Sequence, residues 1–330
     1  MKPSPRRVLL AAVAIALAVV ACWYDVPDVV TDSGAPEAAA DAPSSDAAAD
    51  ADAGAADADD GGCNPDAPFG APVVIAGLAN PTYDERYPRL SPDELTIYFA
   101  FGPPAGPFVL FTASRSSIGA AFGTPAPIAG LTGGSGSDNN ITVSPNGLVA
   151  LMSSTRTQTS VNPNVSQIWS TSRNAPDASF AAPVWSNTTF GTQNGDFDPY
   201  FVGSSGLFYY AHLPMNGSID LSYAVFSGGN YTGATGPSIA NLNSTAEDRS
   251  PTLTPDELTI YFSSSRGGTG HVWMSNRPSN AVQFQAPWMV SELSSLGNPR
   301  PGWISANNCR LYLTINVSGN DDIYLAQRGK

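Results

Sequence analysis

Carboxylates recur at one place in the sequence pattern. Asp84 and Glu85, Asp138, Asp196 and Asp198, and Glu247 and Asp248 each lie in a loop just ahead of an apolar segment. Several such loops, brought together by a fold, would set carboxylates around one pocket. Asp196-Phe197-Asp198 and Asp321-Asp322 offer hard oxygen ligands for calcium, without a full calcium-loop motif around them. A plainer role is a clamp. Arg86, Asn139 and Arg249 follow the acids directly, so an Asp–Arg or Asp–backbone bond repeated in each unit accounts for the pattern. Repetition favours the clamp, because a scaffold residue serves every unit while a catalytic residue is usually unique. The chain has no Gly-x-Ser-x-Gly, phosphate loop, His-Glu-x-x-His or Cys-x-x-Cys. Its two histidines, His212 and His271, lack metal-ligand spacing and read as isolated polar positions. No catalytic residue, metal site or cofactor is assigned on these grounds, with calcium the one ion left open.

The elements that must position these acids form a repeat. An acid-bearing loop leads into an apolar strand, a Ser-Pro-Asp type turn, an aromatic-rich strand, a strand ending near Arg, and Phe-x-x-Pro. The first unit runs from Asp84 through Leu90-Ser91-Pro92-Asp93-Glu94-Leu95-Thr96-Ile97-Tyr98-Phe99 to Arg115 and Phe122-Gly123-Thr124-Pro125. The fourth nearly copies it, with Thr254-Pro255-Asp256-Glu257-Leu258-Thr259-Ile260-Tyr261-Phe262, Arg277 and Phe284-Gln285-Ala286-Pro287. Units two and five are looser, and unit three diverges most. Equivalent turn positions are 92, 145, 204, 255 and 306, so the steps are 53, 59, 51 and 51 residues. That is the length of a four-stranded propeller blade. Leu-Thr-Ile-Tyr-Phe suits a buried strand, and Ser-Pro-Asp supplies a type I turn.

The repeat resembles the TolB-type, WD-like propeller repeat, over about residues 69–328. The resemblance implies an all-β, five-bladed β-propeller of four-stranded blades. Gly, which that repeat carries after the turn, stands only at Gly147 and Gly206; units one and four have Glu instead. Unit five stops after its third strand. Phe69-Gly70-Ala71-Pro72-Val73-Val74-Ile75 matches Phe284-Gln285-Ala286-Pro287, so the N-terminal strand is expected to close the last blade. On this fold the acidic loops face the channel, and Glu85, Asp138, Asp196, Asp198, Asp248 and Trp303 become the candidate channel-face residues. Similarity to five-bladed glycosidases implies a rival use of the acids as an acid/base pair.

Ahead of the repeat lies a different composition. Lys2, Arg6 and Arg7 precede an apolar run from Val8 to Ala21, short for a membrane span and right for an export signal. It ends in Val19-Val20-Ala21-Cys22, which resembles a bacterial lipobox with Cys22 as the lipidation site. From Trp23 to Asp66 there are twelve acids and no Lys or Arg, set among Ala, Gly, Ser and Pro. Such a stretch has too little apolar surface to offset its ordering entropy. The expected organisation is thus a signal peptide over 1–21, a lipidated and disordered tether over 22–66, and the propeller over 67–330. The whole chain carries −13, but the tether holds most of it and the propeller is only about −4.

Cys63 and Cys309 remain for an oxidising compartment. Cys309 aligns with leucines of the other units and reads as a buried apolar residue. Cys63 lies just before the closing strand and Cys309 in the same last blade, so a disulfide between them would staple the ring. The expected protein is a monomeric binding or scaffold module in the bacterial cell envelope, on the outer membrane. Its partner would be a protein or an envelope polysaccharide such as peptidoglycan, with the membrane touched through the lipid alone. The acidity argues against nucleic acid.

Overall fold

A computed structural model describes residues 62–157, 165–186, 195–214, 216–234 and 236–330. The signal segment, Cys22 and most of the acidic tether lie outside the described residues. Five four-stranded antiparallel sheets make up the structure. Blade one comprises Asp84–Leu90, Thr96–Gly102, Val109–Ser114 and Ala126–Pro127 from the inside outward. Blade two is Asp138–Val143, Val149–Ser154, Gln167–Ser172 and Val184–Trp185. Blade three is Gly195–Phe201, Leu207–Leu213, Asp220–Ser227 and Asn230–Gly233. Blade four is Asp248–Leu253, Thr259–Ser264, His271–Asn276 and Trp288–Met289. Blade five is Arg300–Ile304, Arg310–Val317 and Asn320–Gln327, with Val73–Val74 as its outer strand. Each inner strand packs on the inner strands of both neighbouring blades, so the ring is closed. The fold is the five-bladed β-propeller, its last blade completed by the N-terminal strand.

The turn after each inner strand shows why the repeat has its residues. Asp93, Asn146 and Asp256 accept a hydrogen bond from the backbone N–H two residues on, at 2.9–3.1 Å. The next position is left-handed in every blade, with φ of 58° at Glu94, 74° at Gly147, 78° at Gly206, 59° at Glu257 and 61° at Asn308. Glycine takes that conformation freely, whereas Glu needs compensation. Glu94 has it: its carboxylate receives Arg310 of blade five in a bidentate pair, with Nε at 2.9 Å from Oε2, and Tyr312 Oη at 3.2 Å. Glu257 receives Arg277 at 3.0 Å and Tyr209 of blade three at 3.4 Å. The two glutamates that replace Gly are therefore ties between blades.

In four of the five units the Arg and the Phe form one clamp. Arg115, Arg173, Arg277 and Arg328 donate from Nε to the carbonyl of Glu94, Gly147, Glu257 and Asn308 at 2.6–2.9 Å. The same guanidiniums stack on Phe122, Phe180, Phe284 and Phe69 at 4.0–4.5 Å from the ring centroids. In blade five the Phe comes from the other end of the chain, so Arg328 fastens the N-terminal strand.

Cys63 and Cys309 are disulfide-bonded across 246 residues, with their Cα atoms 6.3 Å apart. The Asn64 amide donates to the Gly329 carbonyl at 2.9 Å. The chain is thus tied to blade five at Cys63 and Asn64. Both contacts lie on blade five, where closure depends on two chain ends.

Candidate functional site

The inner strands run from the acidic loops at one end of the channel to the turns at the other. Each carries a β-bulge, between Arg86 and Arg89, Asp138 and Asn140, Phe197 and Tyr200, Arg249 and Thr252, and Pro301 and Trp303. Tyr87, Asp198 and Ser250 sit in three of these bulges with φ of 52–55°, and each precedes a proline, which has no ladder N–H to lose.

The entry-end carboxylates are sealed inside the protein except Glu247, which is exposed. Asp84, Asp138, Asp196 and Asp248 are buried at the first or second residue of the inner strands of blades one to four. Asp84 pairs with Arg86 and accepts the Asp321 amide at 3.0 Å. Asp138 pairs with Arg156 at 2.8 Å and Asp248 with Arg266 at 2.7 Å. In blade three Asp196 bonds His212 at 2.7 Å and the Tyr231 hydroxyl at 2.6 Å. In two blades the acid is held by an Arg other than the residue that follows it. Asn139 is not the partner of Asp138, and Arg249 reaches Asp198 of blade three at 3.5 Å instead of its neighbour Asp248. The true partners, Arg156 and Arg266, lie two residues beyond the second strand, where the antiparallel register brings them opposite the acid.

Asp198 accepts Ser250 N and Oγ, both at 3.2 Å. Asp321 pairs with Arg86 at 2.6 Å and Arg300 at 3.7 Å. The oxygens of Asp196, Asp198 and Asp321 therefore face Arg, His, Ser, Tyr and amide donors, whereas Asp322 faces the Glu85 carboxyl. Among the described residues no three His, Cys, Asp or Glu side chains converge as metal ligands. Glu85 differs from the other acids. It is fully buried and accepts only the Asn80 amide, at 3.3 Å. Burial holds its carboxyl up at about 9; the Asn80 bond opposes this, and the Asp322 carboxylate adds to it. At neutral pH Glu85 is protonated.

At the opposite end, all five blades build a cavity of about 290 Å³. Its wall is a ring of aliphatics at one register position, Leu90, Val143, Val202, Leu253 and Ile304. Its rim is the exposed turn positions Pro92, Pro145, Gly203, Pro255 and Ala306. Arg89, Thr142, Tyr200, Phe201 and Trp303 lie deeper. No Asp or Glu lines it. Trp303 thus lines the cavity of the turn end, which none of the five acids with which it was grouped lines.

Arg89 is the functional candidate that sequence reasoning passed over. It is 2% exposed. Its guanidinium spans the channel, bonding the Gly302 carbonyl of blade five and the Pro199 carbonyl of blade three, the latter at 3.3 Å. It stacks on Tyr200 at 4.9 Å. Desolvation lowers its pKa to about 10, so it stays charged. The signal was present in the repeat. Thr142, Phe201, Thr252 and Trp303 occupy the equivalent positions, and only unit one has a charge there.

No protein-family model matches the chain, and no curated protein matches it. Solved structures do. A family 117 glycoside hydrolase from Zobellia galactanivorans matches with a TM-score of 0.53 at 13% identity, over 79% of this chain and 90% of that one. The catalytic domain of a GH62 α-L-arabinofuranosidase from Coprinopsis cinerea gives 0.51 at 12%, over 80% and 98%. A TolB from Agrobacterium tumefaciens gives 0.44 at 15%, over 71% and 70%. The first two likenesses show the shared fold.

Proposed function

We propose that the protein is an exported, lipid-anchored propeller that binds a protein or a cell-envelope polymer without chemical turnover. The observation that carries this reading is the state of the carboxylates. Glycoside hydrolysis needs two carboxyl groups free to face a substrate at a set separation. Here Asp84, Asp138, Asp196, Asp198 and Asp248 are buried and spent on internal partners, while the cavity built by all five blades contains none of the recurring acids. Propeller rings present loops from every blade around one axis, which suits binding. Cys22 would carry the lipid, and the acidic tether would give the ring reach from the outer membrane.

The rival reading is a glycan-active enzyme, favoured by two structural neighbours that are themselves glycoside hydrolases. One preparation separates the two. The full chain purified from membranes is offered a panel of envelope glycans, peptidoglycan and envelope proteins. Binding should be saturable with no reducing ends released, and a Cys22→Ser chain should lose its partition into detergent. Release of sugar that disappears in Asp138→Asn or Asp248→Asn would establish the enzyme instead.

A further inference from the structure

We propose that the cavity at the turn end of the channel is a binding site for a small monocarboxylate with a compact apolar body. The inference goes beyond the envelope-partner reading and does not depend on it. The wall supplies one aliphatic side chain from each blade, a surface that favours an apolar body and has no hydrogen bond for a hydrated one. The inner end supplies a buried cation. Arg89 has carbonyl oxygens on both terminal nitrogens, and its Nε has no hydrogen-bond partner. Among the described residues no carboxylate is in ion-pair contact with it. Asp198, the nearest acid to act on it, is committed to Ser250 and Arg249.

A buried guanidinium without a counter-ion is a poor resting arrangement and a good anion receptor. Phosphate or sulfate would lose its hydration against five aliphatics, and a neutral apolar guest would leave the charge unmatched. A carboxylate carrying a body of modest size satisfies both ends. The open rim of Pro92, Pro145, Gly203, Pro255 and Ala306 provides the way in.

The test is calorimetric titration of the full chain in nanodiscs, with empty nanodiscs as blank. The probes are octanoate, octanamide and acetate. Octanoate should bind saturably at one site per chain. Octanamide, lacking the charge, should bind at least about tenfold more weakly. Acetate, lacking the body, should be weaker by on the order of 1,000-fold. Arg89→Met should abolish octanoate binding. Because Arg89 also ties three blades together, Ala306→Trp is the second variant; it closes the exposed rim, should leave the melting temperature unchanged, and should also abolish binding. No octanoate binding to the unaltered chain, equal binding of octanamide, or full binding to Ala306→Trp would each overturn the proposal. Failure of the envelope screen with octanoate binding intact would sink only the partner reading.

Discussion

At the scale of single residues, buried charge is what this protein has most to manage. Most of its buried acids meet a cation or a hydroxyl. Glu85 meets a second carboxyl and a single amide, so it folds as the neutral acid. Its folded pKa is raised from 4.5 to about 9. The native state therefore holds a proton that the unfolded chain gives up, and stability falls as pH rises between those two values. Glu85→Gln keeps the shape and never ionises. Its melting temperature should match the parent below about pH 4.5 and exceed it by a growing margin toward pH 9. A margin that stays flat with pH would contradict this account of Glu85. The carboxylates themselves were legible in the sequence. Their partners were not, because Arg156 and Arg266 stand 18 residues from the acids they hold and are brought there only by strand register.

At the scale of elements, much of the repeat could be read in advance for physical reasons. Ser-Pro-Asp turns, β-branched aromatic strands and Phe-x-x-Pro are local signals, stated most fully in units one and four. Their joint meaning needed the structure. Arg and Phe of one unit are a stacked pair whose guanidinium also holds the left-handed turn carbonyl. Blade three lacks that Arg, and its Tyr231 instead reaches back to Asp196 at 2.6 Å. Arg328 is the clamp under most demand. It bonds Asn308 O at 2.9 Å, the Tyr261 hydroxyl at 2.8 Å and the Ala67 carbonyl, and stacks on Phe69 at 4.0 Å. Arg328→Met should destabilise by on the order of 2 kcal/mol. It should also expose the segment around Phe69 to proteolysis well below the melting temperature. A variant that loses stability with no local cleavage would mean that Arg328 does not fasten this strand.

At the scale of the molecule, the two chain ends meet in blade five, and the closing strand is only Val73–Val74 with a bridge at Phe69. The disulfide across 246 residues and the Arg328 clamp are the fastenings of this seam. The count of five and the closing strand were visible from step lengths and from the Phe69 match. The channel cavity was invisible, since it takes its lining from five places more than fifty residues apart. Arg89 became meaningful only as the one residue that breaks a five-fold pattern.

The central claim is that the recurring acids hold blades together and do not act on a substrate. The direct measurement is the thermal unfolding of Asp84→Asn, Asp138→Asn, Asp196→Asn and Asp248→Asn. Removing one partner of a buried ionic contact is costly, so each should lose about 2–4 kcal/mol. Catalytic carboxylates are held at a cost to stability, and replacing one usually leaves the fold as stable or more so. The account predicts a comparable drop in all four variants. Two variants at or above the parent's melting temperature, from neighbouring blades, would contradict it.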